Sequence, residues 1–172
     1  MIELLLTSTE VGLATGVPSG ITEFRRPRTV IWGALGTFLT TLILGAILIA
    51  IAPEYTEQQM AEVIEQPVEA FLFGLIALVV LVIVVIVLVL TILGILVAIP
   101  LLLLAYLAWA VGATIAFLSI GDRLVGREDG WTKPLLVAAS INGGLALTGV
   151  GGIISFVIGA VGFGVVLEDL VA

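Results

Sequence analysis

Four long apolar blocks dominate the pattern of hydrophobic and polar positions along the chain. They cover residues 29–52, 70–93, 100–120 and 134–167, and each block lacks Asp, Glu, Lys and Arg. A helix of about 20 apolar residues crosses the ~30 Å hydrocarbon core of a bilayer. The pattern therefore predicts an all-α integral membrane protein, a polytopic helical bundle of about four spans occupying residues 29–172.

The two middle blocks belong to one uncharged stretch, residues 70–121. As a single helix this stretch would be about 78 Å long, more than twice the thickness of the hydrocarbon core. The chain must therefore fold back once. Proline lacks an amide donor and disfavours helix in the residue before it, so we predict a break between Gly94 and Pro100.

The last block is ambiguous, because residues 134–167 are too long for a simple span and too short for two full ones. Glycines cluster at its middle, and each weakens a helix interior by about 1 kcal/mol. The cluster favours a glycine-broken or re-entrant pair of half-helices, which protein or water must shield from lipid. One long tilted helix is the alternative. The clustered glycines are Gly143, Gly144, Gly149, Gly151 and Gly152.

Three polar segments flank the blocks. Residues 1–28 form a polar, amphipathic N-terminal segment, and residues 121–133 form a charged loop in which Trp131 is placed to anchor at the headgroup level. Residues 53–69, bracketed by two prolines, predict an amphipathic helix with an acidic stripe. Its apolar face comprises Met60, Val63, Ile64 and Val68, and its acidic stripe comprises Glu54, Glu62, Glu65 and Glu69.

Composition supports the same class and narrows the function. The chain is 61% hydrophobic and only 11% charged, so we expect the lipid bilayer to be its main partner. Thirteen acids against six bases give a net charge of −7, which argues against nucleic acid as a partner. Exposed segments that are acidic and contain a single lysine, Lys133, are typical of a halophilic archaeon, and an acidic protein of a mesophile is the alternative.

The chemistry available to an enzyme is sparse. The chain contains no His and no Cys, and every acid lies outside the apolar blocks. No hydroxyl nucleophile therefore has an evident base, and no thiolate or imidazole is present to hold a metal. We predict a non-enzymatic protein without metal or cofactor.

The basic residues bear on orientation. Arg25, Arg26 and Arg28 precede the first span and favour a cytoplasmic N-terminus in the cell membrane. The base-free connection 53–69 then lies outside. The predicted span count places Arg123, Arg127 and Lys133 outside as well, against the same rule, so either the loop tolerates this position or the count differs.

Small residues at helical spacing are the main candidate site residues. Such faces allow lipid-embedded helices to approach closely, within one subunit or between subunits. They are Gly33 and Gly36 in the first block, Ala108, Gly112 and Ala116 in the third, and Gly151, Ser155 and Gly159 in the last. Asn142, beside two glycines, is either a ligand-facing amide at an unwound helix or an amide that bonds a neighbouring group.

Several stretches resemble a haloarchaeal membrane domain that is often fused behind a bactofilin-like, polymer-forming β-helix. These stretches are RPRTVIWGALGTF at residues 26–38, TILGI at 91–95, IPL at 99–101, the acidic linker and the glycine-rich last block. The resemblance implies a membrane anchor for a scaffold. Residues 1–24 are too short for a β-helix and show no repeat, so a partner would have to supply the scaffold.

Two functions follow from these observations. The first is a membrane anchor or assembly subunit that engages other membrane or scaffold proteins, or further copies of itself, through its small-residue faces. The second is a small channel or transporter subunit, in which the glycine-broken block exposes backbone carbonyls to a permeant.

Overall fold

The computed structural model describes residues 27–148 and 150–171, and all regular structure within these ranges is helical. This confirms the all-α class. Most of the N-terminal segment 1–28 lies outside the described residues. The six helices are α1 (Pro27–Ile51), α2 (Pro53–Glu65), α3 (Pro67–Val89), α4 (Ile92–Val125), α5 (Thr132–Leu147) and α6 (Gly151–Val171).

Four of these helices contain a segment long and apolar enough to cross a membrane. The segments are Val30–Ile51, Pro67–Val89, Gly94–Val125 and Gly151–Leu170. Large apolar side chains such as Ile76, Val87 and Leu104 are more than half exposed on the bundle surface, where only lipid meets them without a large hydrophobic cost. The chain is therefore a multi-pass membrane protein.

Contacts between glycines and neighbouring helices define the direction of each helix. Gly74 of α3 abuts Ala160 of α6, and Gly164 of α6 abuts Ala70 of α3, so these two helices are antiparallel. The Gly112–Gly162 contact and the contact of Trp109 with Gly159 run in the same order, so α4 is parallel to α6. In the same way, Gly45 beside Leu135 and Gly143 beside Phe38 make α5 antiparallel to α1.

These directions bring α2, the connection between α4 and α5, and the C-terminal end of α6 to one end of the bundle. We call this the acidic end, because every charged residue from Glu54 to Asp169 lies there and most of them are acids. The Arg127 guanidinium lies 2.8 Å from a Glu57 carboxylate oxygen, so both polar connections lie on one side, as the α3–α4 hairpin predicts. The charged residues of the acidic end are Glu54, Glu57, Glu62, Glu65, Glu69, Asp122, Arg123, Arg127, Glu128, Asp129, Lys133, Glu168 and Asp169.

The break between α3 and α4 lies at residues 90–91, earlier than the predicted 94–100, and Pro100 lies inside α4. Thr91 accounts for the difference. Its hydroxyl donates to the Leu88 carbonyl at 3.0 Å and accepts from the Gly94 amide at 3.0 Å. This side chain caps the start of α4, so the helix begins before the proline.

The turn between α5 and α6 begins in a similar way, at Thr148. The Thr148 hydroxyl donates to the Leu145 carbonyl at 2.9 Å. A Cβ added to Gly151 would overlap that carbonyl, as one added to Gly94 would overlap the Leu88 carbonyl. Both turns therefore use a Thr-x-x-Gly sequence. The last block is the broken pair, and the single tilted helix is excluded.

The linker helix α2 is shorter than the predicted 53–69 and ends before Pro67, which opens α3. Proline suits the first turn of a helix because its missing amide proton has no partner there. Met60 and Val63 are buried and Ile64 is half-buried, as the amphipathic pattern predicts. Val68 is the exception, because it belongs to α3 and is 68% exposed.

Candidate functional site

Asn142 joins three helices inside the bundle. Its side-chain amide on α5 donates to the Thr41 hydroxyl of α1 at 2.7 Å. The Ser155 hydroxyl of α6 donates to the Asn142 carbonyl oxygen at 3.4 Å. An amide in a lipid-embedded bundle is costly unless it is hydrogen-bonded, and here both ends of the amide have a partner. The arrangement is neutral, so it positions helices and offers no proton-transfer group.

The face of α4 that contains Ala108, Gly112 and Ala116 packs against α6. Gly112 meets the backbone of Gly162, and a Cβ on either residue would overlap the other. Ala116 is buried and Ala108 is half-buried. The structure therefore places this predicted packing face within one subunit, with backbone touching backbone.

The three predicted residues of α6 have separate roles. Gly151 closes the α5–α6 turn, Ser155 bonds Asn142, and Gly159 lies under the indole of Trp109. The same indole lies 5.4 Å from the ring of Phe156 and 5.6 Å from that of Phe163, centroid to centroid, both tilted. Gly159 thus provides the space in which an aromatic cluster fastens α4 to α6.

Sequence reasoning missed the contact between α3 and α6. Ala70 and Gly74 of α3 meet Ala160 and Gly164 of α6 at backbone distance. Each helix thus carries an Ala and a Gly four residues apart, which is the spacing of a close helix contact. That spacing is visible in the sequence, and the long Val, Leu and Ile run around Gly74 obscures it.

Gly33 and Gly36 behave differently from the other predicted glycines. An added Cβ at either position would meet nothing within 4 Å, and both residues are exposed on α1. Trp32 beside them is 66% exposed. The face of α1 that contains Gly33 and Gly36, here called the open α1 face, therefore has no neighbour among the described residues.

The acidic end is held together by Arg127. Its guanidinium pairs with Glu57 at 2.8 Å and with Asp122 at 2.9 Å, and it lies 4.3 Å from the centre of the Trp131 ring. A third ion pair joins Lys133 to Asp129. The Arg127–Glu57 pair joins the connection between α4 and α5 to α2.

Acidic side chains crowd the edge of α2 next to the end of α6. Burial raises the pKa of Glu62, and the nearby charges of Glu168, Asp169 and Glu65 raise it further. Burial also raises the pKa of Tyr55, with contributions from Asp169 and Glu62. Within the described ranges, no group of three or more Asp and Glu side chains is arranged to hold a metal ion.

The fold and its contacts define an all-α, multi-pass membrane bundle whose helices are joined by small residues and one amide. The chain belongs to the family described as "Domain of unknown function (DUF8173)", which matches residues 4–172. Neither the curated proteins nor the solved structures contain a match to it.

Proposed function

We propose that the chain is a non-enzymatic anchor or assembly subunit of the cell membrane, which binds a partner helix through the open α1 face. The observation that carries this proposal is the contrast between its glycines. Other helices of the same subunit pack against Gly74, Gly112 and Gly159. A Cβ added to Gly33 or Gly36 would meet nothing within 4 Å.

A glycine in a helix interior costs about 1 kcal/mol relative to alanine. Gly33 and Gly36 lie within α1, and no contact among the described residues offsets this cost. A partner helix packed closely against them would do so, because helices in lipid gain contact by backbone approach. The partner is a membrane or scaffold protein, or a second copy of the chain. The resemblance to domains fused to bactofilin-like β-helices makes a polymer-forming scaffold the partner to look for first.

The experiment is co-purification of a tagged chain from native membranes, with mass spectrometry of the proteins that accompany it. A Gly33→Leu, Gly36→Leu variant should reduce the accompanying partner about tenfold, since overpacking an interface costs about 1–3 kcal/mol. The matched control is Gly152→Leu, which changes another glycine with nothing within 4 Å of its Cβ position. Equal partner recovery from both variants would contradict the proposal.

A channel or transporter subunit is the second candidate, favoured by the break between α5, which ends at Leu147, and α6, which begins at Gly151. The hydrogen bonds of Asn142 to Thr41 and Ser155 count against it, because a permeant would have to compete with them. Proteoliposome flux of ions and small solutes distinguishes the two functions. Flux that Asn142→Ala alters, with partner recovery intact, would favour the channel.

We further propose that the N-terminus is cytoplasmic and that the acidic end faces outward. The first turn of α1 contains Arg28 and lies at the end opposite the acidic end. The arginines that precede the first span favour this orientation by the positive-inside tendency, whereas Arg123, Arg127 and Lys133 at the acidic end count against it. In this orientation the three bases of the acidic end lie outside together with its ten carboxylates. An impermeant maleimide should label Gln58→Cys and Gly126→Cys from outside.

A further inference from the structure

A cavity of about 250 Å³ lies at the acidic end between α2, α4 and α6. Its wall is mostly apolar and includes Val63 and Pro67 near the junction of α2 and α3, Ala116 on α4 and Val161 on α6. The polar residues on its wall are Ser119 and Arg123.

Arg123 differs from the other described bases of the acidic end. Arg127 and Lys133 each pair with a carboxylate. Arg123 forms no ion pair within residues 27–148 and 150–171, although Asp122 precedes it in sequence. The Ser119 hydroxyl already donates to the Ala116 carbonyl at 2.8 Å. The cavity therefore presents one unpaired guanidinium above an apolar wall.

The position of Arg123 matches the boundary between headgroups and hydrocarbon. It lies in the last turn of α4, at the end where Trp131 joins α5. Ala116 lies seven residues earlier, which places it about 10 Å deeper along the helix. The cavity thus runs from the headgroup level into the apolar region, with one basic side chain at its headgroup end.

We propose that this cavity binds a phospholipid, with part of one chain against the apolar wall and the phosphate held by Arg123. A free anion is disfavoured, because the apolar wall offers it no compensating contact. A lipid gains from both parts of the cavity. The volume is smaller than that of a pocket for a complete drug-sized ligand, so the remainder of the lipid lies in the bilayer.

The test is native mass spectrometry of the full chain in a mild detergent, titrated with phosphatidylglycerol or with phosphatidylcholine of the same chain length. We expect the wild type to retain phosphatidylglycerol in preference. Arg123→Gln should reduce that retention about fivefold, since one basic side chain contributes about 1 kcal/mol to binding an anionic lipid surface. The control Lys133→Gln removes the same charge from the same end and should retain the lipid.

A second variant tests the cavity itself. Val161→Phe leaves the charge unchanged and fills the apolar part, so it should lower the retention of both lipids. Three results would overturn the proposal: no lipid retained by the wild type, equal loss in Arg123→Gln and Lys133→Gln, or full retention by Val161→Phe. None of these results bears on the open α1 face, so the partner proposal and the lipid proposal fail separately.

Discussion

Helices α3 and α6 are both long and apolar, yet their surroundings differ. In an apolar stretch of 18 residues from each helix, 6% of the α3 residues are buried, compared with 39% of the α6 residues. α3 is the more hydrophobic sequence and carries Val, Leu and Ile on all sides. α6 contains five glycines, at positions 151, 152, 159, 162 and 164.

The difference shows what specifies burial in lipid. Water drives apolar side chains inward, but hydrocarbon does not, so hydrophobicity alone gives a helix no reason to enter the bundle. α3 confirms this, since its only buried residues are Ala70 and Gly74, its points of contact with α6. Small residues, which let backbones meet, decide which surfaces are interior.

The contact of α6 with α4 offers the strongest test. In Gly162→Leu the new side chain would overlap the Gly112 carbonyl, and a backbone atom cannot rotate away. We expect the free energy of unfolding to fall by about 3 kcal/mol. Unfolding in mild detergent with added denaturant, followed by tryptophan fluorescence, measures this, because Trp109 packs beside the contact.

The matched control for that variant is Gly152→Leu. It lies on the same helix, and its Cβ position meets nothing within 4 Å. We expect it to unfold like the wild type, within about 0.5 kcal/mol. If the two leucine variants lost equal stability, the role of the small residues in α6 would have to be abandoned.

Much of the fold could be predicted from the sequence, because hydrocarbon thickness sets the length of each span. The apolar blocks and the hairpin at α3 and α4 follow from this length, and the broken last block follows from it together with the clustered glycines. The position of the turn between α3 and α4 could not be predicted in this way. Proline breaks helices more strongly on average, but the Thr91 hydroxyl and Gly94 form a local helix cap that needs no distant contact. The same Thr-x-x-Gly sequence recurs at Thr148, and this repeat was a signal for the position of the first turn.

The candidate site was less predictable. The spacing of Gly112 and its neighbours indicates a packing face, but the sequence does not say which helix meets it. That choice depends on helix order and direction in three dimensions. The same limit applies to Gly33 and Gly36, whose spacing resembles that of the packed glycines although they lie on an open surface.

A smaller effect is expected at Asn142, where polar rather than steric contacts join α6 to the rest of the bundle. Asn142→Leu removes the hydrogen bonds to Thr41 and Ser155. Interhelical hydrogen bonds in membranes are worth about 0.6–1.7 kcal/mol, so we expect a loss of about 1 kcal/mol in the free energy of unfolding. The same denaturant assay measures it.

A double-mutant cycle with Thr41→Val isolates the bond between α1 and α5. The double variant should be more stable than the sum of the two single losses implies, because each single variant already breaks the bond. Ser140→Ala on the exposed side of α5 is the control and should have no effect. Strict additivity would mean that Asn142 acts through packing alone.

The smallest effect is expected at the acidic end, where α2 meets the C-terminal turn of α6. Burial and the charges of Glu168, Asp169 and Glu65 raise the pKa of Glu62 in the folded protein. A carboxyl with a raised pKa in the folded state favours folding when protonated, and that contribution is lost as pH rises from the unfolded pKa of about 4.5 through the folded pKa.

Glu62→Gln removes this loss, so the variant should melt higher than the wild type at pH 7, and the difference should shrink as pH falls below about 4.5. Melting temperatures across this pH range measure it, with Glu128→Gln as a variant of equal charge at the same end. A Glu62→Gln curve parallel to that of the wild type at every pH would show that the crowding of carboxylates next to α6 has no effect on stability.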